Sequence, residues 1–185
     1  MIYPIVVYGS PILRRIAKDL DKNDKELPQL IADMWETMYF SDGVGLAAPQ
    51  IGKSVRLFVI DTSDLSEDDP SLKGFKKAFI NPKIVSLHGD IWTYGEGCLS
   101  LPKIREDIER RSKVRIQYYD ENWEYHDEEY DGVKARVIEH EYDHLEGKLF
   151  VDYLTPLKKK LLKGKLTDIT KGKVDVDYKI KVLKS

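Results

Sequence analysis

The feature that most restricts this chain is the pentapeptide His140-Glu-Tyr-Asp-His144. On a helix, residues four apart lie one turn apart on the same face, so a helix here sets two imidazoles side by side. Val133 and Val137 fall on the same stripe. Both imidazoles therefore point the way the apolar residues point, into the core. The helix should start after Asp131 and stop at Gly147, which falls near the C′ position. Two imidazoles so placed can grip one metal ion, and a Glu beside the first can reach the water on that ion. Two core histidines held only by hydrogen bonds fit the same five residues.

The rest of the chain is mostly extended. Short β-rich runs occupy residues 55–61, 78–81, 83–87, 91–94, 114–119 and 123–130, separated by turn residues such as Asn81-Pro82, Gly89 and Asn122. Leu27, Leu30, Ile31, Met34 and Met38 share one helical face, and Asn23 with Glu26 offers that helix a capping-box start. A basic helical segment runs over about residues 156–163. The tail alternates Val174, Val176, Tyr178, Ile180 and Val182 against polar neighbours, the pattern of a strand with one buried face. The acidic stretch 63–72 reads as a solvated loop because both its flanks are strand-like. These elements predict an α+β fold with mixed and antiparallel sheets around a central HExxH helix. A length of 185 residues suits one domain, taken here as 1–185.

Charge and cysteine usage narrow the function. Lys and Arg number 30 and Asp and Glu 32, which argues against a dedicated nucleic-acid binder. Cys98 is the one cysteine, so no internal disulfide can form and a reducing compartment is implied. The segment Met1-Ile-Tyr-Pro-Ile-Val-Val-Tyr8 lacks a basic region and is interrupted by Pro4, and no run is long enough to span a bilayer. A soluble, cytoplasmic protein is expected, with no DNA or membrane partner and as a monomer.

Catalytic sites of the zinc type use three protein ligands and keep one position for water. The chain has four histidines, and His88 and His126 lie in exposed strand or turn contexts. The third ligand is then Cys98, in Tyr94-Gly-Glu-Gly-Cys-Leu-Ser100. The plain reading of a lone cysteine is a small buried hydrophobe. The glycines flanking Glu96 argue for a special backbone path and not a packed strand interior. A thiolate with two imidazoles suits zinc, iron(II), cobalt or nickel. A third unusual segment, Gly43-Val-Gly-Leu-Ala-Ala-Pro-Gln50, permits close backbone approach. It lacks the Gly-Lys-Ser/Thr ending of a phosphate-binding loop and follows a helix.

Together these three segments resemble the motifs of the peptide deformylases, in the family's order and at compatible spacing. Pro11-Ile-Leu-Arg14 and Leu145-Glu-Gly-Lys-Leu-Phe150 extend the likeness over roughly residues 1–160. The resemblance implies a bacterial metal-dependent hydrolase that removes the formyl group from N-terminal formyl-methionine of nascent polypeptides, releasing formate. It implies iron(II) as the native metal, replaceable by zinc, nickel or cobalt. Cys98, His140 and His144 match the ligands and Glu141 the catalytic carboxylate. Gln50 and the Leu99 N–H match the oxyanion donors, and Gly45 matches a residue whose backbone pairs with substrate. Glu96 and Arg110 match a pair that orients the site, and Arg105 matches a substrate-proximal arginine, with surface ion pairing as the alternative for both arginines. Val44, Tyr94, Leu99, Val133 and Val137 are candidates for the methionine pocket.

The sequence departs from the family at Glu139, where many relatives carry Gln; off the metal-facing stripe, it should affect the chemistry little. The tail after Gly172 is strand-like where some forms end in one long helix. The cluster Lys158, Lys159, Lys160, Lys163 and Lys165 is a candidate for contact with the ribosome near the exit tunnel, or simply a solvated helix face. Two other functions fit parts of the pattern: an HExxH metalloprotease, and a structural metal site in a ribosome-associated binding module.

Overall fold

A computed structural model describes residues 1–67 and 69–182. The helix carrying the pentapeptide, α2 (Gly132–Leu145), is packed against the sheet through Ala135, Ile138 and Leu145, all buried. It ends as expected: Gly147 has φ +69° and Lys148 N–H bonds back to Asp143 O at 2.9 Å. A side chain at Gly147 would also strike the Arg14 backbone at 2.7 Å, so both conformation and contact require glycine there.

Among the described residues, β2 (Gly45–Ala47), β3 (Leu57–Asp61), β4 (Lys76–Cys98), β5 (Leu101–Tyr119) and β6 (Tyr125–Asp131) form one antiparallel sheet in that order. The runs expected at 78–81, 83–87 and 91–94 are one strand, β4, and the residues read as turns between them are irregularities within it. Register shifts fall between Ile80 and Lys83 and between His88 and Ile91. Pro82 has no N–H to give a ladder, which suits it to a bulge. Asn81, at φ +49°, exchanges two side-chain hydrogen bonds with the Leu20 backbone, so a loop-like residue is held inside a strand. The segment around Glu96 is likewise strand and not a separate path, because Gly95 and Gly97 pair with Asp107 and Arg105 of β5. The last run begins at Tyr125, Trp123 lying in a turn at φ +60°.

Helix α1 (Leu27–Phe40) buries Leu27, Ile31, Met34 and Met38 as the periodicity predicts. Its capping box does not form: Glu26 makes no side-chain cap, and Glu26 N–H bonds Asp24 Oδ1 instead. Pro28, within the first helical turn and already at helical φ, starts the helix without it. Helix α3 (Pro156–Thr170) outruns the basic segment, and its added turns bury Ile169.

The tail keeps its predicted alternation of burial from Val174 to Val182 but is mostly irregular. Only β7 (Ile180–Lys181) pairs, in parallel with β1 (Ile5–Val6); residues 183–185 lie outside the described residues. The acidic stretch is not wholly solvated: Leu72 is buried and its carbonyl accepts from Thr62 Oγ1 at 2.8 Å. Residue 68 of that stretch is not described. Among the described residues no helix is long and apolar enough to cross a membrane.

Candidate active site

Three elements converge where β4 turns into β5. Cys98 closes β4 and pairs with Leu101, so Leu99 and Ser100 form a tight connection. His140 and His144 arrive from α2, their ring centroids 5.3 Å apart. Ligand atoms of Cys98, His140 and His144 all lie within 4.8 Å of one another, and Cys98 Sγ is 3.3 Å from His144 Nε2. One thiol and two imidazoles brought together beside a cavity that Cys98 and His140 line are a donor set for a borderline-soft divalent ion.

Behind the ligands lies a buried charge network. Glu96 Oε2 is 2.8 Å from His140 Nδ1, which orients the ring with Nε2 towards the site. Arg110 gives two hydrogen bonds to Glu96, at 2.7 and 3.1 Å, and one to Asp143 at 2.8 Å. Arg136, 1% exposed, donates to Glu96 Oε1 and to the carbonyls of Ile108 and Trp92. Tyr153 OH donates to Asp143. Burial pushes Glu96 up, but the hydrogen bonds from His140 and Arg110 outweigh it and hold the carboxyl well below its usual range. Arg110 is thus part of a buried cluster and not a surface ion pair.

Glu139, off the metal-facing stripe, joins this cluster. It is buried, 3.8 Å from Arg110, and its Oε1 has no partner. Burial pushes it up to about 7. Glu96 and Asp143 already balance the two guanidiniums, so a third carboxylate is in excess.

Glu141 stands on the cavity side. It is 4% exposed, Oε2 has no hydrogen-bond partner, and burial pushes the carboxyl up to about 7. Burial lowers both imidazoles. In His144 it prevails, whereas contacts with Cys98 and Glu96 outweigh it in His140. Gly45 on β2 is where Glu141 fits: a β-carbon there would lie 2.5 Å from Glu141 Oε1. Gln50 accepts from Ala47 N–H at 2.8 Å, which aims its Nε2 at Ser100 Oγ (3.2 Å) and Cys98 Sγ (3.5 Å).

A cavity of about 560 Å³ opens over these groups. Val44, Gly45 and Gln50 line one side; Tyr94, Glu96, Cys98 and Leu99 another; Val137, His140 and Glu141 the floor. Arg105 sits exposed at its rim and donates to Gly95 O at 2.8 Å. Val133, one turn before Val137, is partly buried and is not among the lining residues.

The sequence reading missed Arg136, Asp143, Ser100 and Tyr153. Asp143 lies inside the pentapeptide and Ser100 inside a motif, so both were findable; Arg136 and Tyr153 gave no local signal. A second group, Asp120, Glu124 and His126, also brings ligand atoms together. There Asp120 is already engaged by His126 and by the N–H groups of Asn122 and Glu124. His88 pairs with Glu129 at 2.9 Å. Of the lysine cluster, Lys158 pairs with Glu106 and Lys159 bonds Asp152 O, while Lys160, Lys163 and Lys165 are exposed on α3.

Comparison with known proteins gives a consistent result. The sequence model of the family described as "Polypeptide deformylase" matches residues 2–160. The peptide deformylase of Cytophaga hutchinsonii is 53% identical over 181 residues, covering 98% of this chain and 97% of the relative. That of Christiangramia forsetii is 50% identical over 188 residues, covering 98% and 96%. Among solved structures, peptide deformylase from Legionella pneumophila superposes with a TM-score of 0.80 at 40% identity, covering 92% of this chain and 96% of that one. The Thermotoga maritima enzyme gives 0.76 at 42% identity, covering 84% and 99%.

Proposed function

This chain belongs to the polypeptide deformylase family, and on that premise we propose how its residues divide the work. Enzymes of the family hydrolyse the formyl group from the N-terminus of newly made polypeptides, and this chain is one of them. The observation that carries the residue assignment is that Cys98, His140 and His144 bring their ligand atoms together beside a cavity lined by Cys98, His140 and Glu141, with one buried Glu141 oxygen unpaired.

Cys98, His140 and His144 hold a divalent ion, iron(II) by preference with zinc, nickel or cobalt as substitutes. When bound, the ion supplies Lewis acidity to the formyl carbonyl and acidity to water at the site. Glu141 takes the proton of the attacking water and delivers it to the departing amine. Its unpaired oxygen lies on the cavity, within reach of both positions. Gln50 Nε2 and the Leu99 N–H donate to the carbonyl oxygen as charge develops on it, each worth about 3 kcal/mol of barrier by analogy with other oxyanion donors. The Gly45 backbone aligns the peptide in β-fashion, and Val44, Tyr94, Leu99 and Val137 give the methionine side chain an apolar wall. Glu96 and Arg110 keep His140 in place.

The test compares formyl-Met-Ala with acetyl-Met-Ala and an unblocked peptide. Turnover of the first alone is expected. Cleavage of internal peptide bonds would favour a metalloprotease. Glu141→Ala should keep metal and fold and lose turnover by several orders of magnitude, and loss of the metal or of folding would favour a structural ion instead.

A further inference from the structure

The tail after α3 lies beyond residues 2–160, the stretch that the family's sequence model matches, yet it reaches the cavity. It is fixed along the first strand: Ile5 N–H donates to Lys179 O at 2.8 Å and Val7 N–H to Lys181 O at 3.1 Å. Between these bonds and α3 the chain is irregular, and Val176 and Tyr178 line the cavity wall. Tyr178 packs with Leu99 at the edge of the core under α1, and its hydroxyl donates to Leu99 O at 2.9 Å. The neighbouring Ser100 is held in turn, by Tyr8 N–H to its carbonyl at 2.8 Å and by Gln50 Nε2 to its Oγ at 3.2 Å.

Leu99 carries both the carbonyl that Tyr178 grips and the N–H assigned above to the oxyanion. With peptide planes rigid, only the two dihedrals of Leu99 separate them. A tether on the carbonyl therefore limits where the N–H can point. Beyond Tyr178 a second hollow of about 340 Å³ continues, bounded by the same Val176 and Tyr178 with Asp42 and Lys103. The tail thus forms a wall shared by the two hollows.

We propose that Tyr178 is a positioning residue of this active site, holding Leu99 so that its N–H meets the reacting oxygen while its ring walls the path of the residues that follow formyl-methionine. The inference rests on the deformylase reading. Its test uses the full chain, loaded with metal, with metal content measured for each variant. Tyr178→Phe removes the hydroxyl and keeps the ring. Its kcat on formyl-Met-Ala should fall about fivefold, the effect of one neutral hydrogen bond, with KM unchanged. Tyr178→Ala also removes the wall, and should add a rise in KM that is larger for formyl-Met-Ala-Ser than for formyl-Met-Ala. Wild-type kcat in Tyr178→Phe, with or without a lower melting temperature, would overturn the proposal and leave Tyr178 a packing residue. A wild-type chain that leaves formyl-Met-Ala intact would instead remove the activity itself, and this inference with it.

Discussion

Replacing Gly45 by alanine tests whether Glu141 is held where it is by the missing side chain. Gly45 lies in a strand and not in the left-handed region, so its backbone tolerates alanine. Left to conformational entropy, the change would stabilise the fold by about 0.4–1 kcal/mol. The new methyl, however, would sit 2.5 Å from Glu141 Oε1, 2.8 Å from Cδ and 2.9 Å from Cγ. Reaching a tight 3.0 Å requires a shift of 3.0 − 2.5 = 0.5 Å, and ordinary contact at 3.4 Å requires 3.4 − 2.5 = 0.9 Å. Glu141 is buried and cannot swing into solvent, so the strand or the carboxylate must give. Overpacking of this kind costs about 1–3 kcal/mol, which exceeds the entropic gain. A misplacement approaching 1 Å costs on the order of 100-fold in rate. The expected variant is therefore slightly less stable, binds metal normally, and has kcat on formyl-Met-Ala reduced about 10- to 100-fold. Gly164→Ala is the control: nothing lies within 4 Å of its β-carbon, and it sits within α3. It should gain about 1 kcal/mol of helix stability and keep full activity. Activity within twofold of wild type for Gly45→Ala would refute the steric argument.

Other expectations follow from the same packing. Glu96→Ala leaves Arg136 and most of Arg110 buried without their carboxylate. It should destabilise by about 3–5 kcal/mol in urea unfolding; a loss under 1 kcal/mol would mean that Asp143 and Glu139 neutralise both guanidiniums. Cys98→Ala keeps two imidazoles, so metal content after dialysis should drop sharply while circular dichroism stays unchanged, and full retention of metal would remove Cys98 from the ligand set. Away from the site, burial pushes Glu128 up, but hydrogen bonds from Tyr118 and Tyr130 outweigh it and hold it below its ordinary value near 4.5. A depressed carboxyl stabilises the fold above that value and loses the contribution as pH falls through its folded pKa. Melting temperatures of Glu128→Gln should therefore fall less steeply than those of wild type between about pH 5 and pH 3; parallel curves would show that the carboxylate contributes nothing.

Periodicity alone placed the two histidines on one face of a helix, and burial of α2 follows from the same pattern. The alternation of the tail and the apolar face of α1 were equally legible, because each is a local spacing that one element must satisfy. Cys98 was reached only by its glycine-flanked setting and by elimination, since nothing within a few residues of it announces a ligand. What the sequence left open depends on groups far apart in the chain. Turn-forming Asn81-Pro82 and Gly89 became bulges because β5 pairs with β4 on both sides of them, and that pairing is set by tertiary contact and not by local preference. For Arg110 the sequence left open a pair with Glu96 or a surface ion pair, and it is buried because Glu96 and Asp143, 14 and 33 residues away, are folded against it. Tyr178 lies 79 residues from Leu99, and only the pairing of β7 with β1 brings it to the cavity. A helix repeat can name the residues that face inward, but which partners meet them, and so how the two imidazoles at His140 and His144 are oriented and charged, is decided by long-range packing.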